Sequence, residues 1–93
     1  MPRKYPPLTP DEVKAILKAW RFTHIRTESS HESWEGTVNR LTRNVQVDTK
    51  YPQFSIERIK DMISQSGLTR DQFYRATKTT AKKINKPFSK PKV

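Results

Sequence analysis

Residues 22–36 read FTHIRTESSHESWEG, and this stretch decides the fold. It mixes β-branched, aromatic and polar residues without helical periodicity, which is typical of strands. The alternating run NVQVD at residues 44–48 has the same character. Segments this closely spaced pair antiparallel. The pattern predicts three short strands and two turns: Phe22–Thr27, Ser30–Gly36 and Arg43–Asp48, with turns at Glu28-Ser29 and within residues 36–42.

A helix is predicted before the strands. Thr9 is a capping residue, Pro10 suits the first helical position, and Glu12 completes a capping box. Apolar residues then recur at helical spacing as far as Trp20, where the helix should end. The predicted apolar stripe is Val13, Ile16, Leu17 and Trp20.

Two more helices are predicted after the strands. The second opens at Phe54-Ser55 and ends at Gly67, the residue type that favours a helix C-terminus. Its predicted apolar stripe is Ile56, Ile59, Met62 and Ile63. A capping box at Thr69 then predicts a short third helix to about Thr77. The fold class is therefore α+β, a small three-stranded antiparallel sheet with helices on one face.

Length and composition favour one small domain, residues 1–77, followed by a basic tail, residues 78–93. The tail holds six lysines, no acid and few apolar residues, so we expect it to be flexible. A helical continuation through Lys83 stays open, because no helix breaker precedes it. The chain has no cysteine and two histidines, and its acidic residues lack metalloprotease spacing. We therefore expect no metal and no cofactor.

The formal net charge is +10, and most of the excess lies in the tail. A polyanionic partner is favoured, nucleic acid before a membrane surface, because phosphate neutralisation releases counterions. Apolar runs are too short to span a bilayer, and residues 1–10 lack the apolar stretch of a secretory signal. We expect a soluble, cytoplasmic protein.

Residues 21–31, RFTHIRTESSH, resemble a segment of the HicA toxin family. The likeness rests on Phe22, on Arg26 four residues later, on Ser30-His31, and on Trp34 three residues after the histidine. The third strand and the segment from Ser55 to Phe73 continue it, so that it covers roughly residues 9–77. The sequence departs from the family pattern where Arg21 and Ser29 replace glycines, and where residues 48–50 lack a proline and a second histidine.

The resemblance implies a fold like a double-stranded-RNA-binding domain and the activity of a type II toxin, a metal-independent mRNA endoribonuclease. It implies that His31 is catalytic and that a HicB-like antitoxin is the protein partner. We expect messenger RNA to contact a set of basic and polar residues near the strands: Arg21, Arg26, Ser30, Arg43 and Lys50. Ser29 in place of glycine is expected to reshape the turn before His31.

Strand alternation puts His31 and Trp34 on opposite faces. Trp34 is the better core residue, so His31 should face outward, and it is otherwise an ordinary surface histidine. If Ile25 points inward, His24 and Arg26 share the outward face. Arg26 could bind phosphate or pair with Glu32 or Glu35 across the strands. The alternative functions are a noncatalytic RNA-binding module of the same fold and an adaptor that binds protein through its strand edges.

Overall fold

The computed structural model describes residues 4–92. Three strands form one antiparallel sheet in the order β1-β2-β3. Four helices accompany it, so the α+β prediction is confirmed. The elements in chain order are α1 Pro10–Ala19, β1 Thr23–Glu28, β2 His31–Val38, β3 Leu41–Asp48, α2 Ile56–Ser66, α3 Arg70–Tyr74 and α4 Lys78–Lys83.

The β2–β3 hairpin is longer than predicted, and its turn is tighter. Val38 pairs with Leu41, so only Asn39 and Arg40 form the turn. Both have positive φ, 53° and 65°, as a type I′ turn requires. The turn lies within residues 36–42, as predicted, but both strands extend closer to it than predicted, because Asn39 and Arg40 form the tight turn without the glycine that usually signals it.

A β-bulge at Ile25 changes the alternation of β1. His24 pairs with Trp34, whereas Arg26 pairs with Ser33, and Ile25 has no partner between them. His24 therefore stacks on Trp34, with ring centroids 5.4 Å apart, on the face opposite His31. The alternative in which Ile25 points inward and His24 shares the face of His31 is therefore wrong, since one extra residue reverses strand parity, whereas Arg26 does share that face. Ile25 is 49% exposed.

The helices cover the sheet face that carries Trp34. Trp34 is buried, as predicted, with Val45 and Val47 on the same face of β3. The predicted caps of α1 and α3 are present, and each is a complete capping box, at Thr9 and Thr69. Gly67 ends α2 in the left-handed conformation. Ile56, predicted in the apolar stripe of α2, is 48% exposed because the helix begins only there.

Residues 78–84 belong to the folded domain. Thr77 caps α4, and the buried Thr80 hydroxyl donates to the Tyr74 carbonyl at 2.6 Å. Ala81 and Ile84 are buried. The prediction of a flexible tail from residue 78 is wrong for this part, because a cap and two apolar residues suffice to dock one and a half turns of helix. The open alternative, a helix through Lys83, is confirmed.

Within residues 4–92, no helix is long and apolar enough to cross a membrane.

Candidate active site

The side chains of His31 and Asp48 contact each other at one end of the sheet. They are the first residue of β2 and the last residue of β3, and they lie directly opposite each other in the hairpin register. His31 Nε2 is 3.2 Å from Asp48 Oδ2. The His31 side chain is 56% exposed, whereas that of Asp48 is 9% exposed. An accessible imidazole is thus held by a nearly buried carboxylate.

The Asp48 carboxylate is fixed by hydrogen bonds on its other oxygen. Oδ1 accepts from the Ser30 hydroxyl at 2.7 Å and from the backbone N–H of Lys50 at 3.2 Å. Burial of Asp48 raises its pKa, but these hydrogen bonds and the charges of His31 and Lys50 outweigh burial and hold the pKa below the ordinary value. Asp48 is therefore an anion at neutral pH, aimed at the imidazole.

The turn between β1 and β2 is tied to the end of β3. The backbone N–H of Thr49 donates to the Ser30 carbonyl at 2.8 Å, and the Thr49 hydroxyl donates to the same oxygen at 3.1 Å. Ser29 carries the positive φ of this turn, 57°. These contacts connect all three strands at the point where His31 lies, so the pair stands on rigid backbone rather than on a loose loop.

A small groove opens beside the pair. Its volume is about 130 Å³, and its walls come from the strands and from α2. The backbone N–H of Gln46 on β3 donates to the Gln65 side chain of α2 at 3.0 Å, which holds the helix along this edge. Residues that line the groove are His31, Gln46, Asp48, Phe54, Arg58, Asp61, Met62 and Gln65.

Two cations flank the site around one aromatic ring. Lys50 Nζ lies 3.8 Å from Asp48 Oδ2 and 5.3 Å from the centre of the Tyr51 ring. The Arg58 guanidinium lies 4.1 Å from the same centre and donates to the Tyr51 hydroxyl. Because the Lys50 side chain is 59% exposed, its ammonium is free to meet a phosphate group. Of the predicted RNA-binding residues, Ser30 and Lys50 lie at the site, where both contact Asp48.

Arg26 lies on the sheet face of His31. It pairs in register with Ser33, the residue two positions beyond His31 on β2. Its Nε is 3.5 Å from Glu28 Oε1, so its ion pair is within β1 and not with either glutamate of β2. Both side chains are largely exposed, and such a pair is weak. A phosphate could therefore displace Glu28 from Arg26 at small cost.

Arg21 and Arg43 lie at the other end of the sheet. Arg21 precedes β1, whose first residue pairs with Glu35, four positions beyond His31. Arg43 pairs with Gly36 and donates from Nε to the Val38 carbonyl at 3.4 Å. Its guanidinium also lies against Gly67, so Arg43 supports the end of α2. The structure does not bring these two arginines to the His31 pair.

The sequence analysis missed Arg58, which borders the site, and the partner of His31, Asp48. The signal that could have found Asp48 is the hairpin register: with the turn at Asn39-Arg40, every residue of β2 has a fixed partner on β3, and that of His31 is Asp48. The sequence analysis placed the turn only somewhere within residues 36–42, so it did not define which residues of β2 and β3 lie opposite each other.

Among the described residues 4–92, no three histidine or acidic side chains come together as a metal-binding group. Comparisons of the chain with protein-family models, with curated proteins and with solved structures found no match.

Proposed function

We propose that this protein is a metal-independent endoribonuclease that cleaves single-stranded messenger RNA, with His31 as its catalytic base and Asp48 as the positioning residue. The observation that carries the proposal is the His31–Asp48 pair, 3.2 Å between Nε2 and Oδ2, with the imidazole open to solvent and the carboxylate nearly buried. A buried carboxylate that orients an exposed imidazole and stabilises its protonated form is the arrangement that general-base catalysis needs.

The proposed step uses the RNA as its own nucleophile. His31 takes the proton of a 2′-hydroxyl, the 2′-oxygen bonds to the adjacent phosphorus, and the bond from phosphorus to the 5′-oxygen breaks. The departing oxygen takes a proton from solvent, and His31 then releases the proton it accepted to solvent. The products are a 2′,3′-cyclic phosphate and a 5′-hydroxyl, so no atom is gained or lost beyond the transferred protons.

The charges around the pair suit this substrate. Lys50 and Arg58 border the site, and Arg26 lies on the same sheet face. Cations placed there would hold the backbone and stabilise negative charge that grows on the phosphate oxygens. The net charge of +10 favours a polyanion in general.

The likeness to HicA toxins extends the proposal to a partner and a setting. We infer that a HicB-like antitoxin covers the open face of His31 and keeps the enzyme silent in the cytoplasm. The physical basis is that His31, Lys50 and Arg26 are exposed together on that face, where an acidic partner surface would neutralise them.

A noncatalytic RNA-binding module is the rival function, and one observation favours it. The second histidine, His24, stacks on Trp34 on the opposite face, so His31 has no second imidazole beside it to protonate the leaving oxygen. In that case the His31–Asp48 pair would only close the end of the hairpin.

The deciding experiment compares His31→Ala with His24→Ala, since the two replacements remove the same group from opposite faces of the sheet. RNA cleavage is measured in EDTA after any bound antitoxin has been removed. We expect His31→Ala to lose a factor of about 10² to 10⁴ in rate and His24→Ala to retain the parent rate. A substrate with one 2′-deoxy nucleotide at the cut position should resist cleavage. Absence of cleavage by the parent, or equal rates for parent and His31→Ala, would leave the binding module as the function.

A further inference from the structure

A second and larger cleft lies at the end of the sheet remote from His31. Its volume is about 820 Å³, within the range of about 300–1,000 Å³ that ligand sites occupy. One wall is the β2–β3 turn region, another is the stretch from α1 to β1, and a third is formed by α3 and the segment after Pro87. The proposed nuclease chemistry uses none of its residues. Arg21, predicted from sequence to bind RNA, lies in this cleft and not at His31.

The C-terminal segment is held in place as a wall of this cleft. Arg75 Nε donates to the Pro87 carbonyl at 2.9 Å, and the Ser89 backbone N–H donates to the Arg75 carbonyl at 3.0 Å. Lys90 and Lys92, which follow Ser89 in the same segment, both line the cleft and are exposed. The lysines of this segment are thus displayed at a fixed place, not spread over a free tail.

The lining of the cleft is basic and carries one aromatic ring. It contains four basic side chains, Arg21, Arg75, Lys90 and Lys92, and two acidic ones, Glu35 and Asp71.

Asp71 is already neutralised, because Arg70 lies 2.7 Å and Lys86 lies 3.7 Å from its carboxylate. The aromatic residue is Trp20, whose indole N–H donates to the Gln72 carbonyl at 3.2 Å. Cations for phosphates beside an aromatic ring for a base are the combination that single-stranded nucleic acid recognises.

The outer sheet face connects this cleft to His31. Thr37 and its register partner Thr42 line the cleft, and strand alternation puts Thr37 and Glu35 on the face of His31. Thr37 lies six positions beyond His31 on β2, or about 20 Å at a rise of about 3.3 Å per residue. One extended strand of RNA could therefore reach both sites along a continuous surface.

We propose that this cleft is a second RNA subsite, which holds a single-stranded segment of the substrate several nucleotides away from the cleaved bond. The inference rests on the proposed function for the identity of its ligand as RNA. It assigns Arg21, Lys90 and Lys92 to phosphate contacts and Trp20 to contact with a base. It also assigns Glu35 an opposing role, because its carboxylate faces the same cleft and repels phosphate.

The first test uses the two tryptophans as separate probes. The sample is His31→Ala, which binds RNA without cleaving it, and the signals followed are the two indole N–H groups in its ¹⁵N spectrum. The signal of Trp20 reports on the cleft. The signal of Trp34, whose indole donates to Glu32 on the helix-covered sheet face, reports on a region outside the cleft. Addition of an eight-nucleotide RNA should move the Trp20 signal and leave the Trp34 signal in place. RNA that binds without moving the Trp20 signal would overturn the subsite, as would movement of both signals alike. Cleavage by the parent is scored independently, so the nuclease proposal survives that result.

The second test compares two pairs of lysines with equal charge. Lys90→Gln/Lys92→Gln removes two cations from the cleft, and Lys78→Gln/Lys82→Gln removes two exposed cations of α4 that do not line it. We expect the first pair to reduce the slope of log affinity against log salt by about two, and the second to leave the slope near that of the parent. Glu35→Gln should tighten binding. Equal effects of the two lysine pairs would mean that only net charge matters, and the subsite would be refuted.

Discussion

Lys83 in α4 and Glu12 in α1 form an ion pair, with 2.9 Å between Nζ and Oε1. The same ammonium donates to the Pro7 carbonyl at 2.8 Å. A lysine that the sequence analysis placed in the basic tail thus joins the last helix to the first. Both side chains are mostly buried, at 29% and 19% exposure, so the pair is shielded from solvent more than ordinary surface pairs are.

Truncation should reveal that the C-terminal helix is structural. Deletion of residues 78–93 removes Ile84 from the core and leaves Glu12 unpaired, so we expect a loss of at least about 2–5 kcal/mol in unfolding free energy. Deletion of residues 88–93 removes no buried residue among the described residues 88–92 and should cost less than about 1 kcal/mol. Urea denaturation of both forms measures the difference. An unchanged midpoint for the longer deletion would show that α4 does not stabilise the domain.

The Glu12 carboxylate should make stability depend on pH. Its burial raises the pKa, but hydrogen bonds from Thr9 and Lys83 and the charge of Lys83 outweigh burial and lower it. A carboxyl whose pKa is lower in the folded state adds stability above the unfolded value, about 4.3, and loses it as pH falls through the folded value. Glu12→Gln retains the capping box and removes only the charge.

We therefore expect Glu12→Gln to be less stable than the parent at pH 7 and to approach it as the pH falls below about 4. Urea denaturation across this range gives the difference between the two proteins, in which the titration of all shared groups cancels. A gap that stays constant with pH would mean that the ion pair with Lys83 contributes nothing to stability.

Gly36 should tolerate no side chain. A Cβ placed there would lie 2.6 Å from a ring carbon of Phe22, which is buried just before β1. We expect Gly36→Ala to destabilise the domain by about 1–3 kcal/mol through overpacking. Phe22→Leu in the same chain should recover part of that loss, since it removes the atoms that clash. Strictly additive effects in the double-mutant cycle would contradict this contact.

Local signals sufficed for most of the helices. The capping boxes at Thr9 and Thr69 and the left-handed Gly67 act within one helical turn, and α1 and α3 begin, and α2 ends, where those signals predict. The third helix is shorter than predicted and ends at Tyr74 instead of about Thr77. The end of the chain was harder, because α4 is held by contacts outside its own segment, with Tyr74 of α3 and Glu12 of α1. Nothing within residues 78–93 indicates those contacts.

The site was predictable only in part for a similar reason. The choice of His31 as a candidate came from the family resemblance, and its outward orientation followed from strand alternation against Trp34. Its partner depended on the hairpin register. Arg40 stands where a tight hairpin turn usually has glycine, so the sequence did not reveal the turn that places Asp48 opposite His31. The unpaired residue Ile25 puts His24 on the other face of the sheet. Register and bulges depend on the whole hairpin, so a short window of sequence does not reveal them.

The role of Asp48 gives the sharpest test of the site. Asp48→Asn keeps an oxygen that can accept from Ser30 but removes the negative charge beside the imidazole. If Asp48 positions His31 and stabilises its protonated form, kcat for RNA cleavage should fall by about 10² to 10⁴ while KM changes little. Asp48→Glu should restore part of the rate, because it returns the charge in a less favourable geometry.

Ser30→Ala serves as the graded control for this prediction. It removes one hydrogen bond to Asp48 Oδ1 but leaves the backbone N–H of Lys50 in place, so kcat should fall by less than about tenfold. Asp48→Asn should also change the side-chain ¹⁵N signals of His31. If Asp48 only held the backbone of the hairpin, those signals would not change. If Asp48→Asn folds with parent-like stability and cuts RNA at the parent rate, Asp48 does not act on the imidazole, and His31 must work without a positioning residue.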